Sequence, residues 1–313
     1  MKTNQAWKKQ DIDLRPGLKI NGKWHHKSYI IKRKLGAGAV GTVYLCEANG
    51  KLAALKISDK GTSMTVEVNV LKSLQKVQGS HLGPYLLDVD DWVSPYGNTY
   101  SFYVMEYLKG EEMTRYIQNN GSAWVGVFML QLLEDLERFH QSGWVFGDLK
   151  LDNLIVVPSP TRVRFVDVGG TTQIGRAIKE YTEFYDRGYW GMGSRRAEPS
   201  YDLFAFVMVF VNVFYPKRFE RGGQSDRILF KKIDDVKALI PYRQILKNAL
   251  MGKYLSSVEM KREITNVLYS TQKRRTRKKG VNNVNNDVHA PFLMEAGGVT
   301  IIAIGYYLFS LLI

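Results

Sequence analysis

The stretch VFGDLKLDNLIVV, residues 145–157, sets Asp148, Lys150, Asp152 and Asn153 within six residues, between two apolar runs. Charged groups beside a core are costly unless they are paired, hydrogen-bonded or bound to a metal. Either they form a polar turn between two buried elements or they hold something, and the rest of the chain bears on the choice.

The chain has 313 residues, enough for two modest domains or one two-lobed fold. With 45% hydrophobic and 12% aromatic residues it can bury a sizeable core. Lys and Arg number 44 against 30 Asp and Glu, a net charge of +14. That favours an anionic partner (nucleotide, nucleic acid or membrane surface) without choosing among them. The single Cys46 excludes an internal disulfide and a multi-cysteine metal site, fits a reducing compartment, and reads as a small strand residue. MKTNQAWKKQDIDLRPG, residues 1–17, mixes charges of both signs and has no apolar run. It is not a secretory signal, and residues 1–24 are expected to form a short mobile extension.

GGVTIIAIGYYLFSLLI, residues 297–313, carries no charge, which predicts a transmembrane anchor over 292–313. LFAFVMVFV, residues 203–211, is too short to span and is bounded by Asp202 and Asn212, so it reads as a buried helix. Before the anchor lies KRRTRKK: Lys273, Arg274, Arg275, Arg277, Lys278 and Lys279. By the positive-inside rule the preceding domain faces the cytoplasm, from a single-pass position in the cell membrane. The same six residues are candidates for a polyanion, either DNA bound without sequence preference or anionic lipid. GVNNVNNDVHAP, residues 280–291, has neither helical nor alternating period, so 273–291 reads as a basic, Asn-rich linker.

After the β-like SYIIKRKL comes GAGAVGTVY, in which Gly36, Gly38 and Gly41 match G-x-G-x-x-G. TVYLCEANGKLAALKI follows, two alternating runs around Asn49-Gly50, a strong hairpin signal. A dinucleotide-binding fold needs a helix directly after its glycines, so the following strand favours a glycine flap over phosphates. Lys56 ends an apolar run and needs an anionic partner. In MTVEVNVLKSLQ the apolar spacing at Val66, Val70, Leu71 and Leu74 predicts a helix with Glu67 in its first turn, as that partner. SFYVMEYLKGEE reads as a buried strand leading into a polar connection. A helix over 123–141, apolar at Val125, Phe128, Met129, Leu132, Leu133, Leu136 and Phe139, delivers the chain to the opening stretch. VRFVDVGG then supplies a strand with Asp167 at its end.

Taken together, the glycine loop, AALK, the helix Glu, MEY, GDLKLDN and DVG occur in the order found in eukaryotic-type (Hanks-type) Ser/Thr protein kinases, which this chain resembles over residues 25–270. The layout of kinase, basic linker and C-terminal anchor is similar to small membrane-tethered kinases of Gram-positive spore-forming bacteria, which carries an expectation of a sporulation role. The resemblance implies an α+β, two-lobed kinase fold plus one transmembrane helix. The β-rich N-lobe would occupy 25–108 and the helical C-lobe 109–272.

It also implies ATP with Mg2+ or Mn2+, and transfer to Ser/Thr hydroxyls of proteins, the kinase itself included. Asp148 would orient the substrate hydroxyl and Lys150 would stabilise the transferring phosphoryl. Asn153 and Asp167 would ligate the metal. Gly36, Ala37, Gly38, Gly41, Val43, Ala54, Lys56, Glu67 and Ile155 would surround the nucleotide, with Met105, Glu106, Tyr107 and Leu108 at the adenine. Asp152 would be a surface charge.

Three differences from the family pattern stand out. Phe146-Gly147 replaces His-Arg before Asp148, which implies activity without the usual phosphorylation switch. Val168 replaces the Phe of Asp-Phe-Gly, which implies looser packing, and Ala-Pro-Glu is missing. Only eleven residues separate Lys56 from Glu67, implying a mobile helix and an ion pair formed only on activation. Two other functions are compatible with the fold. A nucleotide-binding scaffold would be marked by loss of catalytic groups, and an enzyme acting on a small hydroxyl compound would fit the missing Ala-Pro-Glu.

Overall fold

Asn49 and Gly50 sit at positive φ, 50° and 74°, the backbone that a two-residue hairpin turn requires. The strands they join belong to the first of two compact units, Met1–Lys109 with Arg164–Thr171; the second is Gly110–Val163 with Thr172–Ile313. The computed structural model describes residues 12–38, 40–76 and 82–282.

In the first unit the strands are β1 (Lys19–Asn21), β2 (Ser28–Ala37), β3 (Thr42–Ala48), β4 (Lys51–Ser58), β5 (Leu86–Val93) and β6 (Thr99–Glu106), with helix α1 (Gly61–Leu74) between β4 and β5. The sheet order is β1-β2-β3-β4-β6-β5, every pair antiparallel. Tyr29, Ile31, Tyr44, Leu55, Ile57, Phe102 and Val104 form its core. Cys46 is a buried strand residue there, and burial pushes its thiol up to about 12.

Within residues 12–24, expected to be mobile, Leu14 and Ile20 are buried in this core, and the Leu14 N–H donates to the Tyr44 hydroxyl at 3.0 Å. The β1–β2 turn also reaches β5. Lys23 N–H donates to the Asp91 carbonyl, and the N–H groups of Trp24 and His25 donate to the buried Asp90 carboxylate at 2.9 and 2.8 Å. Those bonds occupy the exposed edge of β5, which otherwise invites foreign strands.

The second unit contains α2 (Met113–Asn120), α3 (Trp124–Gln141), β7 (Trp144–Val145), β8 (Leu154–Val157), β9 (Arg162–Phe165, within which the unit boundary falls), β10 (Thr172–Gln173), α4 (Pro199–Phe214), α5 (Ser225–Asp234), α6 (Arg243–Leu250) and α7 (Ser257–Asn282). All seven apolar positions named for the helix over 123–141 are buried in α3. Residues 203–211 are buried throughout, as an all-apolar helix must be. α7 packs on α3, and its Met260 and Ile264 are buried. A Cβ at Gly126 of α3 would crowd the Tyr242 hydroxyl and meet Leu268 at 2.7 Å, so glycine sets that close approach.

The basic cluster, read as linker, belongs instead to α7, whose backbone is helical to Asn282; its side chains lie outside what the structure describes. Among the described residues no helix is long and apolar enough to cross a membrane. The expected anchor, 292–313, and residues 283–291 of the linker lie outside them.

Candidate active site

Two sets of polar residues sit at the ends of regular elements, one in each unit. In the first, the glycine stretch links β2 to β3, with Gly38 N–H donating to the Gly41 carbonyl at 2.9 Å. A Cβ at Gly36 or Gly38 would meet nothing within 4 Å, whereas one at Gly41 would press on the Ile57 carbonyl oxygen. Gly41 therefore lets the loop lie on β4, while Gly36 and Gly38 leave backbone open to a ligand. Ala37 is exposed. Val43 pairs with Lys56, Ala54 with Met105, and Lys56 with Tyr103.

Lys56 Nζ lies 2.8 Å from Glu67 and 3.3 Å from Asp167, and the Glu67 side chain is only 2% exposed. Burial alone would lower the Lys56 pKa, but the carboxylates of Asp167 and Glu67 outweigh it and hold the ammonium above the ordinary lysine value. The ion pair expected only on activation is formed here. β4 and α1 are joined by two residues, Asp59 and Lys60, and this short link puts Glu67 in the second turn of α1, not the first. On the same helix Val66 is exposed and Val68 buried, the reverse of the spacing expected. Periodicity missed Tyr103, whose hydroxyl donates at 2.9 Å to Glu67 Oε2, the oxygen that Lys56 Nζ approaches to 2.8 Å. Alternation along β6 could have found it, since Tyr103 pairs with Lys56.

Asp167 lies two residues beyond β9, and one of its oxygens accepts the Gly169 N–H at 2.9 Å. A Cβ at Gly169 would lie 2.6 Å from Glu67 Oε1, so this glycine admits the carboxylate. Val168 is buried, and Gly83 abuts it together with Leu71 and Leu74. Met105 and Leu108 are buried, while Glu106 and Tyr107 are partly exposed. Arg164, which sequence reading passed over, ties Glu106 and the Gly83 carbonyl together, each at 3.0 Å.

In the second unit, Lys150 Nζ contacts an Asp148 oxygen. The Thr182 hydroxyl donates to the other Asp148 oxygen at 2.9 Å and accepts from Lys150 at 3.3 Å. The Asn153 amide donates to the Asp148 carbonyl at 2.9 Å. Asp152 is exposed and pairs with Arg218, as expected of a surface charge. Ile155 is partly exposed on β8.

Phe146 fills a buried slot against Phe139, ring centroids 5.5 Å apart, and Gly147 takes φ +79°, which suits glycine. Both backbone N–H groups donate to Asp202, at 2.7 and 3.0 Å, and the same carboxylate meets His140 Nε2 at 3.0 Å. Asp202 served the sequence reading only as a helix boundary. A carboxylate within so apolar a helix is itself a signal, because it has to be paired.

Where Ala-Pro-Glu is missing, the chain is held by other means. Asp186 accepts from Arg195 at 2.7 Å, from the Tyr201 hydroxyl at 3.0 Å and from the N–H groups of Gly188 and Tyr189. Arg187, buried, pairs with Glu198 at 2.6 Å. The Tyr201 ring lies under Arg187 and the Tyr181 ring under Arg195, while Phe184, Trp190 and Phe219 pack edge to face on one another.

Residues 29–285 match the family described as "Protein kinase domain". The chain is 49% identical over 262 residues to the serine/threonine-protein kinase YabT of Bacillus subtilis (strain 168), covering 83% of this chain and 78% of that protein. It is 25% identical over 232 residues to the sporulation protein kinase mde3 of Schizosaccharomyces pombe, spanning 64% of this chain and 40% of that one. To the serine/threonine-protein kinase max-2 of Caenorhabditis elegans it is 27% identical over 165 residues, 49% of this chain and 24% of that one. With a match over most of its length, and with glycine loop, buried Lys–Glu pair and Asp–Lys–Asn loop each formed, the chain belongs to the protein kinase family.

Proposed function

We propose that this kinase transfers the terminal phosphoryl group of ATP to Ser and Thr hydroxyls of proteins, itself included. One observation carries the reading: Asp148 and Lys150 already hold an aliphatic hydroxyl, that of Thr182, between an acceptor oxygen and an ammonium. A substrate Ser or Thr presents the same group to the same pair. Asp148 would take up or orient its proton, and Lys150 would balance negative charge on the moving phosphoryl.

Protein kinases use ATP with a divalent metal, and Asp167 in the first unit and Asn153 in the second each carry an oxygen of the kind a hard cation takes. That cation would neutralise phosphate charge. Lys56, fixed by Glu67 and Asp167, would position phosphates, under the backbone left open at Gly36 and Gly38. Met105 through Leu108 would face the adenine with Ile155. A scaffold role is disfavoured because Lys56, Asp148, Asn153 and Asp167 are all present.

Asp148→Asn should leave ATP binding nearly intact while transfer to a generic basic protein falls by about 10² to 10⁴. Unchanged turnover would remove Asp148 from this role. Transfer to small hydroxyl compounds in preference to any protein would favour the small-substrate reading.

The same proposal tethers the kinase to the cytoplasmic face of the membrane by residues 292–313, on the strength of the uncharged run at 297–313. Deleting them should release a folded, active enzyme into the soluble fraction. The helical basic cluster would bind a polyanion, DNA or anionic lipid, and modulate activity. Six neutralised phosphates correspond to a slope of about −5 in log affinity against log salt on duplex DNA. Replacing all six residues with Ala should abolish that dependence; equal binding by the variant would end the polyanion reading.

A further inference from the structure

Beyond the residues that meet substrate, the buried Asp202 leads to a part of the molecule with no assigned role. His140, in α3, gives Nε2 to Asp202 at 3.0 Å, and its other nitrogen, Nδ1, faces Ser257 Oγ at 3.2 Å. His140 is buried, and Ser257 and Asp202 are fully so. Ser257 is the first residue of α7, the helix that carries the basic cluster.

The roles around the imidazole follow from the carboxylate. Asp202 accepts, so Nε2 carries the proton; Nδ1 of a neutral ring is then an acceptor, and Ser257 supplies its hydroxyl proton. From α7 to the catalytic loop the chain runs Ser257, His140, Asp202, then the N–H groups of Phe146 and Gly147, immediately before Asp148. Each link is a hydrogen bond shielded from water, where a missing partner is costly. Phe139, next to His140, packs edge to face against Phe146 and adds an apolar contact beside the polar one.

We propose that Ser257 is a positioning residue for phosphoryl transfer: through His140 and Asp202 it ties the start of α7 to the backbone that aims Asp148. An event that shifts α7 would change the orientation of the Asp202 carboxylate, and with it the loop. The inference rests on Asp148 as the transfer residue, so Asp148→Asn is run beside it.

The test uses the purified full-length chain and compares kcat, the KM for ATP and thermal stability. Ser257→Ala should lower kcat about three- to tenfold, the rate equivalent of one neutral hydrogen bond, while KM for ATP stays within twofold. Ser257→Thr, which keeps the hydroxyl, should restore kcat. His140→Gln, whose amide can still donate to Asp202 but leaves Ser257 without its acceptor, should match Ser257→Ala. The double variant should lose no more than either alone.

If Ser257→Ala turns over like wild type, if Ser257→Thr fails to restore kcat while folding normally, or if the losses of Ser257→Ala and His140→Gln multiply, the inference is overturned. Should Ser257→Ala fail to fold, His140→Gln and Ser257→Thr decide by the same readouts. An inactive Asp148→Asn with a fully active Ser257→Ala sinks this inference alone. An active Asp148→Asn sinks the site assignment on which it rests.

Discussion

Lys56 and Glu67 show what a single buried pair demands. Their side chains are 5% and 2% exposed, so neither charge can return to water if the other is removed. Lys56→Met should cost about 3–5 kcal/mol of stability, because Glu67 and Asp167 then lose their shared cation. In transfer assays Lys56→Met, Glu67→Gln and the double variant should be strongly non-additive; simple additivity would make Glu67 a bystander. The glycine loop offers a second contrast at this scale. Gly41→Ala should cost about 1–3 kcal/mol in thermal unfolding, since its Cβ presses on the Ile57 carbonyl. Gly38→Ala has free space, so stability should hold while nucleotide affinity falls. Equal melting temperatures for the two variants would contradict that assignment.

Elements supply what single residues cannot. The two-residue link from β4 to α1 leaves the helix no slack, so the short Lys56–Glu67 spacing works as a tight tether where mobility had been expected. The N-terminal segment completes the sheet core, with Leu14 set under the Tyr44 hydroxyl. Leu14→Ala should therefore destabilise by about 2–5 kcal/mol, read as a shift in urea midpoint; a change under a few tenths would return the segment to a loose extension. Asp186–Arg195 and Arg187–Glu198, with the Tyr181 and Tyr201 rings against the two arginines, hold the stretch in which Ala-Pro-Glu is missing. Arg187→Ala should lower protein-substrate turnover while ATP affinity is kept, measured by peptide phosphorylation beside nucleotide titration.

At the scale of the whole molecule, folding determines how buried charge responds to pH. Asp135 is buried in α3 beside Arg162, and burial outweighs that arginine and Arg138, pushing its pKa up to about 6. The folded state then holds its proton more tightly than the unfolded chain. Its stabilising contribution is full below about pH 4 and is lost as pH rises to about 6, by up to about 3 kcal/mol. The stability difference between wild type and Asp135→Asn, followed by urea unfolding, should show that fall; a flat difference would mean that folding leaves the carboxyl's pKa where it is in the unfolded chain. The sequence determined the hairpin at Asn49-Gly50, the faces of α3 and α4 and the order of the motifs, because turn chemistry and apolar period are local properties. It located Asp148, Lys150, Asn153, Asp167, Lys56 and Glu67, since each lies in a short motif whose spacing is covalent. Tyr103, Arg164, Thr182, Asp202 and Ser257 escaped it, for each acts on a group remote in the chain. The packed N-terminal segment and the helical setting of the basic cluster escaped it too. Which of two neighbouring valines faces the core, and which hydroxyl meets Asp148, depends on distances between elements. Only the tertiary structure decides those, because burial makes an unpaired group costly and so selects its partner.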